Sequence, residues 1–307
     1  CRTMGVTHMI RIDKVTKCYD RVKSLDGIDT VIESGSIFGL IGSNGSGKST
    51  LLRVMSGIFR PDSGSVEYDG KPVFENVPLK NEIVYLSDEQ YFLPAATLDD
   101  MARLYAAAYA GFSAEEYKRL SDLFALPRSR KIATYSKGMQ KQAAILLGLS
   151  AMPRYLLCDE TFDGLDPVMR QLVKRVLADA VAKRGLTAVI ASHNLRELED
   201  ICDHIGLLHK GGILFESELD ALKENIHTVQ AVFRETLPPE RIASLGTVSF
   251  KQRGSMVTAV LRGSEADVRA KIETLHPEFY EIIPLTLEEI FISEMEERGY
   301  DYAKVVF

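Results

Sequence analysis

The chain has no tryptophan and only four cysteines among its 307 residues. Cys1, Cys18, Cys158 and Cys202 form no CxxC pair, and their spacing matches no zinc pattern. They are expected to be reduced thiols without a role, with Cys158 a small buried hydrophobe inside an apolar run. A membrane span needs about 20 consecutive apolar residues, and none is present. The nearest stretch, Leu104 to Phe112, is short and bounded by Arg103 and Ser113. No secretory leader pattern is visible; Met9 reads as the start, with Cys1 to His8 a tag or an upstream extension. Excess positive charge is lacking too. Against 43 Asp and Glu stand 37 Lys and Arg, a formal net charge of −6, so general affinity for nucleic acid or for an anionic bilayer is not expected. There is no internal repeat and no low-complexity tract.

What is present is ordinary globular material, 46% apolar and 26% charged, in a chain long enough for about two domains. Residues 9–224 read as one domain and 225–307 as a smaller one. In the first, short β-rich runs alternate with helical stretches, the pattern of an α/β fold. Strands are expected at Ile10–Val15, Ser36–Ile41, Glu82–Leu86, Arg154–Cys158 and Leu186–Ala191, with a hairpin of Ile205–His209 and Ile213–Glu216 around Gly211 and Gly212. Helices are expected at Lys48–Ile58, Ser136–Ala151, Val168–Lys183 and Asn194–Cys202. Leu98 to about Leu126 reads as a helical insertion, part of a helical subdomain over about 90–152. The second domain shows two β-like segments, Thr228–Phe233 and Met256–Leu261, and two helical ones, Glu265–Leu275 and Leu287–Arg298. A small α+β module is expected there.

The strongest local signal is Gly42-Ser43-Asn44-Gly45-Ser46-Gly47-Lys48-Ser49, followed by Thr50. It is a GxxxxGK[ST] loop between an expected strand and an expected helix. Glycines let successive N–H groups curl toward one anion, and the helix start adds its positive end. Lys48 can then reach the β- and γ-phosphates, and the Ser49 hydroxyl can ligate Mg²⁺. Downstream, the apolar run Tyr155 to Cys158 ends in Asp159-Glu160. A parallel strand delivers its carboxyl end to the ligand crevice. Asp159 is therefore placed to hold Mg²⁺, and Glu160 to orient and deprotonate a water. His193 follows the next buried run and can reach the γ-phosphate from the same sheet edge. The other histidines, His8, His204, His209, His227 and His276, read as structural.

Together these residues resemble the nucleotide-binding domain of ABC ATPases, over about residues 10–216. The glycine loop resembles that family's Walker A, and Leu156–Glu160 its Walker B. Tyr135-Ser136-Lys137-Gly138-Met139-Gln140 resembles the signature segment, Asp163-Gly164-Leu165-Asp166-Pro167 the D-loop, and Ser192-His193 the switch-histidine loop. Tyr19 is placed like the residue that stacks on adenine. The resemblance implies a phosphate-loop NTPase core with an antiparallel β layer and a helical subdomain. It also implies ATP and Mg²⁺ as cofactors and a second nucleotide-binding subunit, homodimeric or heterodimeric, whose phosphate site Ser136 and Gly138 of this chain complete. Asp166 enters the nucleotide site on the same ground.

Two departures stand out. Lys137 and Met139 replace glycine and glutamine in the signature, a form that resembles the ABC-2 exporter group. Leu285-Thr286-Leu287-Glu288-Glu289-Ile290-Phe291 is similar to the closing segment of that group's ATPases. At the Q-loop, where the family carries glutamine, Asp88 stands instead, followed by Glu89 and Gln90. Asp88 can still bind Mg²⁺ or its water, and Gln90 serves only if the loop shifts. The resemblance thus implies the ATPase of an exporter, held at the cytoplasmic face of the membrane by a separate transmembrane permease. The permease is expected to dock near Asp88–Ala96 through exposed Tyr91, Phe92 and Leu93. A soluble ABC ATPase of assembly or DNA metabolism is the alternative.

Overall fold

A computed structural model describes residues 9–199 and 201–297. The expectations for Cys1–His8 and for Arg298 lie outside the described residues. The chain divides into two compact units, Cys1–Glu216 and Ser217–Phe307. The expected division after residue 224 lies later, because the short helix Leu219–Glu224 packs on the first strand of the second unit.

The first unit begins with strands β1 (Met9–Tyr19) and β2 (Val22–Glu33), then β3 (Ile37–Ile41) and helix α1 (Lys48–Met55). There follow β4 (Ser63–Tyr68), β5 (Lys71–Pro72), α2 (Val77–Lys80) and β6 (Ile83–Leu86). Helices α3 (Leu98–Ala108), α4 (Ala114–Phe124) and α5 (Lys137–Ser150) precede β7 (Tyr155–Asp159), α6 (Pro167–Arg184), β8 (Thr187–Ser192), α7 (Leu195–Leu198), β9 (His204–His209) and β10 (Gly212–Glu218).

Two sheets result. A four-stranded antiparallel layer runs β2-β1-β4-β5, and a six-stranded sheet runs β10-β9-β3-β8-β7-β6. In the latter, β3 pairs in parallel with β8 on one side and β9 on the other, and β7 lies parallel between β8 and β6. A strand covered on both faces is apolar throughout rather than alternating; all five residues of β3 and all five of β7 are buried. Between the layers, Ile10, Ile12, Leu25 and Ile28 pack with Phe38, Leu40, Leu51, Leu52, Met55 and Leu157. Truncating Leu52 to Ala in this core costs about 2–5 kcal/mol. Tyr68 meets Tyr155 edge-on at 4.5 Å, and its hydroxyl donates to Met55 O at 2.8 Å.

The α/β core with an antiparallel layer is thus as expected, and the hairpin of β9 and β10 lies where Gly211 and Gly212 indicated. The helical insertion over Leu98–Leu126 is helical as expected and consists of two helices, because Ser113 starts a new one: its hydroxyl accepts from Glu116 N, while Thr97 and Asp100 form a capping box on α3. Helices α3 and α4 pack on α5. In turn α5 packs on β6, where a Cβ on Gly148 would sit 3.1 Å from Leu86. Asn194–Cys202 differs: among its described residues only the single turn α7 is helical, capped by Asn194. Strands β2 and β4 were not expected; β2 carries Gly27 and several charged residues and pairs across bulges in β1.

In the second unit, α8 (Leu219–Glu224) leads to β11 (Ile226–Val232), α9 (Pro239–Ala243), β12 (Thr247–Arg253), β13 (Met256–Arg262), α10 (Glu265–Glu273), β14 (Phe279–Pro284) and α11 (Leu287–Glu297). From β11 to β14 the order is βαββαβ in a sheet β12-β13-β11-β14, the split βαβ arrangement. Val229, Ala231, Val257, Ala259 and Leu261 form its core with Ile242, Val268 and Ile272. An α+β module is as expected, but with four strands in place of two. Strand β12 alternates half-buried with exposed residues and includes Lys251 and Arg253, so its composition conceals it. The closing segment Leu285–Phe291 starts α11, with Leu287, Ile290 and Phe291 buried.

Candidate active site

The glycine loop joins the end of β3 to α1 and curls on itself through Ser46 N to Ser43 O at 3.1 Å. Two glycines are required by space. A Cβ on Gly42 would lie 2.5 Å from Leu208 O, and one on Gly47, at φ +113°, would lie 2.5 Å from Ser24 O. The loop walls a cavity of about 230 Å³ lined by Ser24, Ser43, Asn44, Gly45, Gly47, Lys48, Ser49, Thr50, Asp88 and Glu160. Gly42 and Ser46 are buried beneath it.

Lys48 is 5% exposed. Its ammonium donates to Gly42 O at 2.6 Å and Ser43 O at 3.2 Å, and lies 3.3 Å from Glu160 Oε1. That last pair is an ion pair by distance whose angle does not make a hydrogen bond, so Oε1 keeps unspent acceptor capacity. Glu160 Oε2 faces His193 Nδ1 at 2.8 Å and accepts from His193 N at 3.4 Å. The Glu160 backbone is left-handed, φ +47°, a strained conformation for a side chain with a Cβ. It is pinned by Glu160 N to Ala191 O at 3.0 Å.

Asp159 is 1% exposed at the end of β7. Burial pushes its carboxyl pKa up; the hydroxyls of Ser49 and Tyr85 oppose that rise. Tyr85 donates to Oδ2 at 3.1 Å, and its own phenol is pushed up to about 12 by burial. Asp159 Oδ1 is buried with no hydrogen-bond partner among the described residues. A buried carboxylate with one unpartnered oxygen, near enough to Ser49 for its hydroxyl to act on the carboxyl, fits a small hard cation that also takes phosphate and water oxygens. Among the described residues no group of three His, Cys, Asp or Glu could hold a metal; a magnesium ion shared with a nucleotide makes no such demand.

Lys48, Ser49, Asp88, Asp159, Glu160 and His193 are therefore gathered by the fold. Asp88 lines the cavity, whereas Gln90 is turned back on its own loop, donating to Ser87 O. Tyr19, 41% exposed, does not line the cavity and lies edge-on to Phe59 at 6.1 Å. Ser136, Gly138 and Asp166 do not line it either. Ser136 and Asp166 are N-caps of α5 and α6, accepting from Met139 N at 3.2 Å and Met169 N at 2.9 Å. A Cβ on Gly138 would sit 3.0 Å from Gly164 O, so the signature turn abuts the Asp163–Pro167 segment.

Residues not anticipated also enter. Ser24, on β2, lines the cavity and donates to Thr50 Oγ1 at 2.9 Å. Tyr85 and Arg53 act on Asp159. Lys141 joins α5 to Asp88 and to the Glu160 carbonyl. Its position four residues after Lys137, on one helix face, was the only hint available. Near the expected docking loop, Tyr91 and Leu93 are exposed, 78% and 44%, but Phe92 is half-buried, a correction to its expected exposure.

A glycine-rich loop at a β3–α1 junction, with lysine and Glu160 lining one cavity and the buried Asp159 beside Glu160 at the end of β7, defines a phosphate-loop NTPase of the α/β class. An ABC transporter family model matches residues 25–163. The ABC transporter ATP-binding protein YtrB of Bacillus subtilis (strain 168) is 30% identical over 286 residues, spanning 93% of this chain and 98% of YtrB. The bacitracin transport ATP-binding protein BcrA of Bacillus licheniformis is 31% identical, over 70% of this chain and 72% of its own. A solved ATP-binding subunit of an ABC transporter superposes with a TM-score of 0.65 at 27% identity, covering 70% of this chain and 92% of that one. The chain belongs to the ABC transporter ATP-binding proteins and is an ABC ATPase. No helix among the described residues is long and apolar enough to cross a membrane.

Proposed function

We propose that this chain powers export through a separate transmembrane permease, as one of a pair of cassettes that close on Mg²⁺–ATP at the cytoplasmic face of the membrane. The observation that carries the reading is that the cavity holds a lysine, a hydroxyl and a base but none of the signature residues. Lys48, Ser49, Asp88 and Glu160 border or line it, while Ser136 and Gly138 do not. A helix start that cannot serve its own chain's phosphates is free to serve those of a facing copy.

In this reading the loop amides and Lys48 hold the β- and γ-phosphates, and Ser49 with Asp159 hold magnesium, with Asp88 reaching it directly or through water. Bound magnesium would neutralise phosphate charge. Glu160 takes the proton of the attacking water, and His193 holds the Glu160 carboxylate and reaches the γ-phosphate. Tyr19 meets adenine, and Ser136, Gly138 and Asp166 contribute across the pair. Loss of the γ-phosphate removes the contacts that closed it. Export is supported by the Lys137 and Met139 form of the signature and by the Leu285–Phe291 segment at the start of α11. The extended match to YtrB and the transport named for BcrA agree with a transporter subunit.

Affinity capture of the full chain from a detergent extract tests it, followed by phosphate release with and without the captured protein. A multi-span membrane protein that stimulates hydrolysis is expected. Capture of soluble partners alone would favour an assembly role and end the transport reading.

A further inference from the structure

Glu160 holds a backbone conformation that an L-residue adopts rarely, φ +47°, at the point where its carboxylate must face the phosphates. Something must hold that peptide in place. On the amide side it is Ala191 O, at 3.0 Å on β8. On the carbonyl side the strongest donor is Lys141, whose ammonium reaches Glu160 O at 2.7 Å; Asp163 N adds a longer contact at 3.3 Å. The same ammonium reaches Asp88 Oδ1 at 3.1 Å. Lys141 lies in the second turn of α5, and its side chain is only 12% exposed. A charged donor with so little water around it forms strong, directional bonds.

We infer that Lys141 is a positioning residue for hydrolysis, which fixes the Glu160 carboxylate by clamping the Glu160 carbonyl and ties that clamp to the loop bearing Asp88. It touches neither phosphate nor water itself; it acts through Glu160. The partner on the Asp88 side is 55% exposed and so contributes little to holding the lysine. The clamp on the carbonyl is the part that matters for rate. Because Lys141 is on the helix that Ser136 starts, any movement of that helix bears on the geometry of the base. The inference rests on Glu160 being the base proposed above.

The test uses the full chain with ATP and magnesium. Lys141→Met keeps length and apolar stem but donates nothing. It is expected to lower kcat at least tenfold, with KM for ATP within about twofold of wild type, since the phosphate contacts are untouched. Lys141→Arg, which keeps the donor, is expected to recover much of the rate. In a Glu160→Gln background Lys141→Met should change the residual rate less than twofold, because the group it orients is gone. Thermal melts verify folding, and Lys141→Leu, which also donates nothing, replaces the Met variant if that one fails to fold. Wild-type kcat in Lys141→Met, or an equal loss in the Glu160→Gln background, would overturn the inference while leaving the site reading intact. Wild-type turnover by Glu160→Gln itself would overturn both.

Discussion

The two oxygens of Glu160 face opposite partners: Oε2 lies 2.8 Å from His193 Nδ1 and Oε1 lies 3.3 Å from the Lys48 ammonium. The carboxylate thus sits between a ring just past the end of β8 and a cation at the start of α1, the latter lining the phosphate cavity. In the proposed reading, a nucleotide entering the loop draws Lys48 from Gly42 O and Ser43 O toward phosphate. Glu160 is then left with His193 on one oxygen and an open acceptor on the other, which is the arrangement a water-activating base needs.

Glu160→Gln keeps the shape and loses the basic oxygen. Phosphate release is expected to fall about 100-fold or more, the range for a positioned general base, while ATP affinity changes little. His193→Ala removes the ring partner on Oε2 and the proposed reach to the γ-phosphate but leaves the base in place, and should fall less. Steady-state phosphate release beside equilibrium binding of ATP separates the two effects. Turnover by Glu160→Gln at the wild-type rate would assign the base elsewhere.

Lys48→Met removes the ammonium that lies 3.3 Å from the Glu160 carboxylate at the glycine loop. A hydrogen bond to a charged group contributes about 1.5–3 kcal/mol, so ATP affinity should fall about ten- to hundredfold, read by calorimetry with magnesium present. An affinity equal to wild type would mean that the phosphates do not sit in this cavity.

Much of this site was legible from the chain because its parts are local. The glycine loop is contiguous, and Asp159-Glu160 sits at the end of a wholly apolar strand, so the sheet places both acids without further information. Ser24, Tyr85 and Lys141 were not legible, since each reaches the site only through packing. Ser24 comes from an antiparallel strand that charged residues disguise, Tyr85 comes from the neighbouring strand β6, and Lys141 comes from a helix separated from the glycine loop by the whole α3–α4 insertion. The same limit applies to the second unit. Its core strand β11 could be read from alternation, whereas β12, with one face open to water, could not. Phe92 falls in the same class: its half-burial depends on neighbours that the run Tyr91-Phe92-Leu93 does not reveal.

The exposed pair Tyr91 and Leu93 invites a test of docking that leaves the nucleotide site alone. Both are exposed although large and apolar, and neither lines the phosphate cavity. Replacing both by Ser should leave basal ATPase of the isolated chain within about twofold, since exposed substitutions shift stability by only about 0.5 kcal/mol. Stimulation by the co-purified membrane protein should be lost. Full stimulation would move the docking surface away from this loop.

Asp159 links the chemistry to pH. Its folded-state carboxyl pKa is raised above the ordinary 3.8, first by burial, with the Ser49 and Tyr85 hydroxyls working the other way. A raised acid binds more protons folded than unfolded. Its contribution to stability is therefore greatest below pH 3.8, falls as pH rises toward the folded value, and stays unfavourable above it. Asp159→Asn removes that penalty. The nucleotide-free variant should melt a few degrees above wild type at pH 7, the gap closing toward pH 4, and should hydrolyse ATP more slowly and need more magnesium for its half-maximal rate. Tyr85→Phe acts in the opposite sense on the acid. Losing a donor to the ionised form raises the Asp159 pKa further, so the acid limb of the ATPase profile should move to higher pH and more magnesium should be needed for half-maximal rate. Melting curves from pH 4 to 8 and rate profiles from pH 5 to 8 check both. An unmoved acid limb in Tyr85→Phe, with Asp159→Asn no more stable than wild type, would mean that Asp159 does not carry the ionisation that the metal requires.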